Sequence, residues 1–341
     1  MKLRLNIIQL SLLSFLFLLN VNLSSQENQK VFEEIIVTAE KRDESLQTIS
    51  QAVTAITESE IDDKNITSFV DLTSIVPGVT VAKNEGYKTV ISIRGVGNET
   101  NQNAIAAPSV AYHMDGVFIA SPFSLQTDFV DIERIEVLRG PQGTLFGQNS
   151  TGGAINVISK KPSTSAFSSN ASMTIGDYNL RKVSSSTNFP ISDSVATKFT
   201  FTSTERDGFS KNVVTGQDLD DASNISLRSD WIFELNDTSS LRIFGQYFDS
   251  DRNGAAMRGI DDANDSMRKL SQDSLSKQEL TSKVIALIYE SDLGYASLKI
   301  LGSIQEDDVL VVRDNDRHNY GDPVLAIPGL GADSTYQMAE F

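Results

Sequence analysis

The amino-acid sequence predicts an α+β domain followed by antiparallel strands of a transmembrane β-barrel that remains incomplete. Three observations carry this reading. Residues 61–161 hold short apolar runs separated by glycine and proline, the pattern of a compact domain built from small elements. From Pro162 onward the text becomes Ser/Thr-rich, in segments of about ten residues whose apolar and polar side chains alternate, as membrane-spanning strands require. Past residue 25 no stretch approaches the ~20 apolar residues of a spanning helix, so any membrane span must be made of strands.

The first element, residues 1–25, reads as a secretory signal peptide. Lys2 and Arg4 give a positive start, Ile7 to Leu19 is apolar apart from Gln9, Ser11 and Ser14, and Asn20 to Ser25 is small and polar. The apolar run is too short for an anchor, and cleavage is expected near Ser25. A charged segment follows at 26–48, then a compact domain at 49–162, then strands at 163–341. The 26–48 segment contains one β-branched patch in the heptad Glu33, Glu34, Ile35, Ile36, Val37, Thr38 and Ala39. Such a segment, free of proline, is suited to an extended strand. It could add to a partner's sheet edge or serve as an ordinary edge strand.

Within the compact domain, residues 67–78 predict a short amphipathic helix with Phe69, Leu72, Ile75 and Val76 on one face, ended by Pro77-Gly78. Residues 91–97 read as a strand entering a turn at Gly95 and Gly97. Asp115-Gly116 between apolar runs signals a hairpin. In the long motif 131–157, Gly140, Gly143, Gly147, Gly152 and Gly153 mark tight turns or close backbone approach.

Seven strands are expected in the last region, near 167–176, 180–189, 195–206, 222–234, 239–249, 282–291 and 294–305. In the third, Val195, Thr197, Phe199 and Phe201 share one face, with Lys198, Thr200, Thr202 and Thr204 on the other. In the fourth, Ile225, Leu227, Trp231 and Phe233 alternate with Ser226, Arg228 and Asp230. A soluble sandwich alternates in the same way, but connection lengths separate the two. Tight turns largely alternate with long acidic connections at 207–221 and 250–281, the habit of outer-membrane barrels.

Composition excludes several function classes. A net charge of −16 argues against a nucleic-acid or anionic-lipid surface. The absence of cysteine removes disulfides and thiolate metal sites, and His113 and His318 alone offer little for imidazole catalysis. Gly147 to Gly152 has phosphate-loop spacing, but Gly153 stands where the lysine belongs. Gly95-Val96-Gly97 opens a dinucleotide fingerprint that Thr100 breaks. No nucleophile elbow or triad is found, so no enzyme activity is expected. Asp249, Asp251, Asn253 and Gly254 imitate the opening of a calcium loop, yet Ile260 replaces its bidentate glutamate; no metal site is assigned. Asp261, Asp262, Asp307 and Asp308 read as solvated loop charges.

Taken in order, EEIIVTA, Pro77-Gly78, IRGVG at 93–97, Asp115-Gly116, DIERIEVLRGPQGTLFG at 131–147 and STGGAINVISKKP at 150–162 resemble the TonB-dependent outer-membrane receptors. The resemblance covers roughly residues 33–162. It implies that 33–39 is the TonB box, that 49–162 is a plug with a small mixed sheet and helices, and that the strands begin a barrel, 22-stranded in the family. It further implies import of a scarce nutrient, most often a ferric siderophore or other iron chelate. The inner-membrane TonB complex would act through the box, outer-membrane lipid would surround the strands, and no cofactor would be needed. Arg94 and Arg139 match the family's plug arginines that pair with barrel-wall glutamates. Those glutamates are expected beyond residue 341, and a local pair with Glu133 or Glu136 is the other reading. Seven strands cannot close such a barrel around a plug, so the chain is expected to be a fragment. A non-transporting truncated plug or soluble periplasmic binding module is the alternative, and a secreted enzyme a weaker one. Substrate identity is not legible in these residues.

Overall fold

The computed structural model describes residues 36–38, 44, 45, 47, 49, 51–84, 88–97, 108–121, 124–126, 128–260, 262–314, 317 and 334–338. The expected signal peptide, Glu33, Glu34, Ile35, Ala39, Asp261 and His318 lie outside these residues.

The chain opens with a two-residue ladder, β1 (Ile36–Val37) against β2 (Glu44–Ser45). Then β3 (Val53–Thr57) runs directly into α1 (Glu58–Asp63). The junction is sharp because Thr57 and Glu60 form a capping box, each side chain bonding the other's backbone amide. Over the predicted helical stretch, Asp71 accepts the Thr67 and Ser68 amides at 2.8 Å, starting one 3-10 turn that continues as α2 (Leu72–Ile75). Phe69, Leu72 and Val76 are buried there as their spacing predicts, and Phe69 meets Tyr112 and Phe129 edge-on.

A three-stranded antiparallel sheet follows: β4 (Val79–Asn84), β5 (Lys88–Ile93) and β6 (Val96–Gly97). The main sheet of the domain uses β3 with β7 (Val110–Met114), β8 (Val117–Phe118), β9 (Ile132–Arg139) and β10 (Gly153–Ser159), with α3 (Gly143–Phe146) between the last two. Its order is β3-β9-β10-β7-β8, mixed because β10 runs parallel to β7 and antiparallel to β9. Strand β10 is buried along its whole length, which suits its nearly continuous apolar text GAINVIS. Gly153 is a position only glycine fills: its φ is 147°, and a Cβ would press on the Leu138 carbonyl and lie 2.8 Å from Ile93 Cδ1.

The remaining elements form a wall of long antiparallel strands. They are β11 (Ser168–Gly176), β12 (Leu180–Ser192) and β13 (Val195–Arg206), then, after the short β14 (Ser210–Asn212) and β15 (Asp218–Leu219), β16 (Ala222–Asn236) and β17 (Ser239–Arg252). Beyond the short β18 (Lys269–Leu270) come β19 (Lys277–Asp292), β20 (Ser297–Arg313) and β21 (Ser334–Met338). The eight long strands pair in the order β11-β12-β13-β16-β17-β19-β20-β21, and among the described residues this sheet does not close. All seven predicted strands are present. An eighth, β21, was not predicted, and β20 continues eight residues past the expected end at 305. That extension corrects the reading of Asp307, which is a buried strand residue accepting from Ser124 Oγ at 2.7 Å and not a solvated loop charge. Asp249 and Asp251 likewise lie inside β17, with Thr281 Oγ1 donating to Asp249.

The two wall faces sort as the alternation predicts. Phe199, Leu227, Ile285, Ile300 and Ile304 point away from the domain and are exposed. Lys198, Asp230, Arg242 and Phe244 are buried against it, and Val284, Ala286 and Ile288 join its apolar core. Among the described residues no helix is long and apolar enough to cross a membrane, which has no bearing on strands.

Candidate functional site

Two neighbourhoods carry the functional side chains. The first is the seat of residues 36–38. Strand β1 pairs Ile36 with Ser45 and Val37 with Glu44, so alternate side chains face opposite ways. Ile36 is exposed, whereas Val37 is wholly buried among Ala55, Ala111, Leu138, Phe146 and Ala154. Thr38 donates its backbone N–H to Glu136 Oε1 at 2.8 Å, and its hydroxyl lies 3.1 Å from both carboxylate oxygens.

Glu136 sits in mid-β9 directly opposite Asn156 of β10, and its side chain has no solvent exposure. A carboxylate in such a place must be paired and hydrogen-bonded. Arg134 Nε supplies the charge at 2.9 Å, and Asn156 Nδ2 donates to Oε2 at 3.3 Å. Asn156 also reaches Thr38 Oγ1 at 3.4 Å, completing the ring of donors. Arg134 is shared, its other end meeting the half-exposed Glu133.

The second neighbourhood joins the domain to the wall. The β7–β8 turn is Asp115-Gly116, with φ of 53° and 87°, the paired positive angles of a two-residue hairpin turn. It aims the Asp115 carboxylate at the wall, where Arg228 Nη2 lies 2.6 Å from Oδ2 and Arg242 Nη1 3.3 Å from Oδ1. Asp230 closes the set, 3.1 Å from Arg228 and 2.6 Å from Arg242. The backbone N–H of Ser159, at the end of β10, donates to Asp115 Oδ1 at 2.9 Å, and Arg242 donates to Ser159 Oγ at 2.8 Å.

All four charged side chains are nearly sequestered, the most exposed being Arg228 at 11%. Burial alone would push the Asp115 carboxyl up. Arg242 and Arg228 outweigh it and, with the Ser159 amide, hold the carboxyl well below the usual carboxylate range. Arg228 also lies over the Phe244 ring, 4.0 Å from its centre. Beside this cluster Asp131 meets Lys198 at 2.8 Å and Asp128 meets Lys182 at 3.2 Å. A cavity of about 40 Å³ lined by Asp131, Lys198, Arg228, Asp230 and Gln246 separates the pairs and is large enough for water.

The arginines singled out in the sequence stand apart from both neighbourhoods. Arg94 occupies the exposed β5–β6 turn at φ 53°, followed by Gly95, its N–H donating to the Gly78 carbonyl at 2.7 Å. Arg139 ends β9 and donates to Thr54 Oγ1. Among the described residues neither arginine has a carboxylate within ion-pair distance. Glu133 and Glu136 both pair with Arg134 instead. Of the glycines, Gly97 ends β6, Gly140 and Gly147 lie in the β9–β10 connection, and Gly143 is the first residue of α3. Gly152 and Gly153 enter β10. The four-member charge cluster was missed in the sequence. Its signal was present in Arg228 and Asp230, two opposite charges alternating on the expected inner face of one strand.

Comparison with known proteins agrees with this architecture. The family model described as the TonB-dependent Receptor Plug Domain matches residues 45–154. The chain is 32% identical over 144 residues to the pesticin receptor of Yersinia pestis, covering 41% of this chain and 20% of that protein. It is 24% identical over 220 residues to the vitamin B12 transporter BtuB of Vibrio vulnificus, covering 64% of this chain and 35% of that one. Among solved structures, the ferric yersiniabactin uptake receptor FyuA from Yersinia pestis superposes with a TM-score of 0.66 at 20% identity, over 77% of this chain and 42% of that chain. The ferripyoverdine receptor of Pseudomonas aeruginosa gives 0.68 at 17%, over 84% and 38%. The chain thus spans about a fifth to a third of the curated relatives it matches. Residues 45–154 are therefore a TonB-dependent receptor plug domain, and the mixed sheet inside it, with a wall whose charged face meets it, shares the fold of the solved outer-membrane receptors.

Proposed function

We propose that this chain forms the plug, the coupling strand and part of the wall of a receptor that imports a scarce nutrient across the outer membrane. Energy would come from the inner-membrane TonB complex. The observation that carries the reading is the placement of Ile36 and Val37 as a short strand, with Thr38 beside it, docked on the plug; these are the described residues of the heptad Glu33–Ala39. A strand with alternate side chains, whose main-chain groups come free on undocking, is what a partner's sheet edge takes up. The exposed apolar outer face of the wall favours a lipid setting over a soluble periplasmic module. In domain terms the proposal is a signal peptide at 1–25, a coupling segment at 26–48, a plug at 49–162 and wall strands at 163–341.

For the substrate we infer an iron chelate of the siderophore class. The relatives named as the ferric yersiniabactin and ferripyoverdine receptors support this by analogy. Cobalamin is the second reading, because the B12 transporter aligns over more of this chain than the pesticin receptor does. Arg94 and Arg139 are proposed to pair with wall glutamates not contained in residues 1–341. Catalysis is no part of the proposal.

The test is growth of a receptor-deficient strain carrying the full gene, supplied with ferric siderophores or, separately, with cyanocobalamin as the limiting nutrient. Chelate-dependent growth that Val37→Pro abolishes supports the proposal, since proline removes the strand's amide donor. Growth on neither nutrient, with the protein present in the outer membrane, would sink the substrate assignment. Growth indifferent to Val37→Pro would sink the coupling role.

A further inference from the structure

The coupling strand is stowed. Its apolar side chain Val37 is buried, its neighbours Ile36 and Val37 are paired with β2, and the Thr38 amide is committed to Glu136. A partner strand cannot use these groups until the docked arrangement opens. What holds it is unusual in a sheet: a carboxylate without solvent exposure in mid-strand, whose donors come from the docked segment as well as from its own sheet.

We propose that Glu136 is the positioning residue that latches residues 36–38 onto the plug, and that Asn156 orients the latch. Four features carry this. Hydrogen bonds to an ionised acceptor are about twice as strong as neutral ones, so Glu136 is the strongest acceptor available to Thr38. The Thr38 amide and hydroxyl together engage both Glu136 oxygens, which fixes the segment's register and not merely its proximity. Asn156, cross-strand from Glu136 and only 6% exposed, donates to both members of the pair. Arg134 belongs to β9 itself, so its ion pair with the carboxylate does not depend on the docked segment and the latch can open without stranding a bare buried anion. The inference rests on the coupling reading only for its consequence, since the latch itself is a contact within one chain.

The absence of cysteine in the sequence makes a direct assay available. Val37→Cys places the only thiol of residues 1–341 at a site buried when the strand is docked, and its reaction rate with a maleimide in outer-membrane vesicles, taken above the background of the parent receptor, reads the released fraction. Glu136→Ala is expected to raise that rate at least ten-fold, Glu136→Gln by an intermediate amount because one acceptor oxygen remains, and Glu133→Gln not at all. Thr38→Val removes the hydroxyl without touching the plug and is expected to raise the rate several-fold, so it decides the matter if the Glu136 variants fail to fold. An unchanged rate in Thr38→Val, and in Glu136→Ala where its thermal unfolding matches the parent, overturns the latch. Capture by the purified periplasmic domain of TonB separates the two readings. A raised thiol rate with raised capture supports both. A raised rate with unchanged capture upholds the latch and removes the partner assignment.

Discussion

Asp115 is a point of electrostatic convergence, because two wall arginines and the end of β10 meet on it. Replacing it with asparagine leaves Arg228 and Arg242 to share Asp230 alone in a site nearly closed to water. Removing one partner from a buried pair costs about 3–5 kcal/mol, and Asp115→Asn is expected to lose that much in chemical denaturation of the refolded protein. The same residue sets an acid limit. Its folded carboxyl titrates below the unfolded one, so its contribution is complete above the unfolded value of about 3.9 and is lost as pH falls through the folded one. The thermal midpoint is therefore expected to be insensitive to this group between pH 5 and 8 and to fall below about pH 4, with the fall blunted in Asp115→Asn. The turn at Asp115-Gly116 was legible because paired positive φ angles select these residues. Its charge partner was not, since Arg228 lies 113 positions away and no local pattern encodes that distance.

At the scale of elements, β10 is the member that both neighbourhoods share. Asn156 faces residues 36–38 and Ser159, three residues on, holds Asp115, about 10 Å away at the rise of a strand. Its start is equally constrained, since Gly153 abuts the Leu138 carbonyl at φ 147°. Gly153→Ala is expected to cost on the order of 3 kcal/mol from backbone strain and overpacking, and to loosen protection of the β9–β10 amides in hydrogen exchange. Gly143→Ala is the contrast: nothing lies within 4 Å of its added Cβ and it sits in α3, so a neutral effect or a gain of up to about 1 kcal/mol is expected. Both glycines looked alike in the motif. Only the fold separates the one that touches backbone from the one that opens a helix. The wall strands were legible for the opposite reason: a period of two survives over a dozen residues and names the inner face by itself. The small sheet of β14, β15 and β18 was not, because strands of two or three residues carry no period and Lys211 pairs with Lys269 far along the chain.

For the molecule as a whole, two faces of one sheet answer to different solvents, and substitution on each tests that claim. Ile304 on β20 is 77% exposed on the outer face, while its neighbour Ser303 faces the other way, toward the space beside the plug. The opposition follows from strand geometry, and it matters because the wall is otherwise uniform in composition. If the outer face meets lipid, Ile304→Lys must carry an ammonium into hydrocarbon, at about 2–4 kcal/mol near the midplane. Ser303 is solvent-exposed on the inner side, so Ser303→Lys stays within about 0.5 kcal/mol of the parent. In water the order would reverse in sense, since an exposed isoleucine replaced by lysine is harmless or improves solubility. The measurement is the folded fraction of the full-length receptor in lipid bilayers, titrated with urea, for both variants. A large loss confined to Ile304→Lys places the apolar face against lipid. Equal, small effects would mean that this wall stands in water, and the exposed row of Leu227, Ile285, Ile300 and Ile304 would then need another protein surface to cover it.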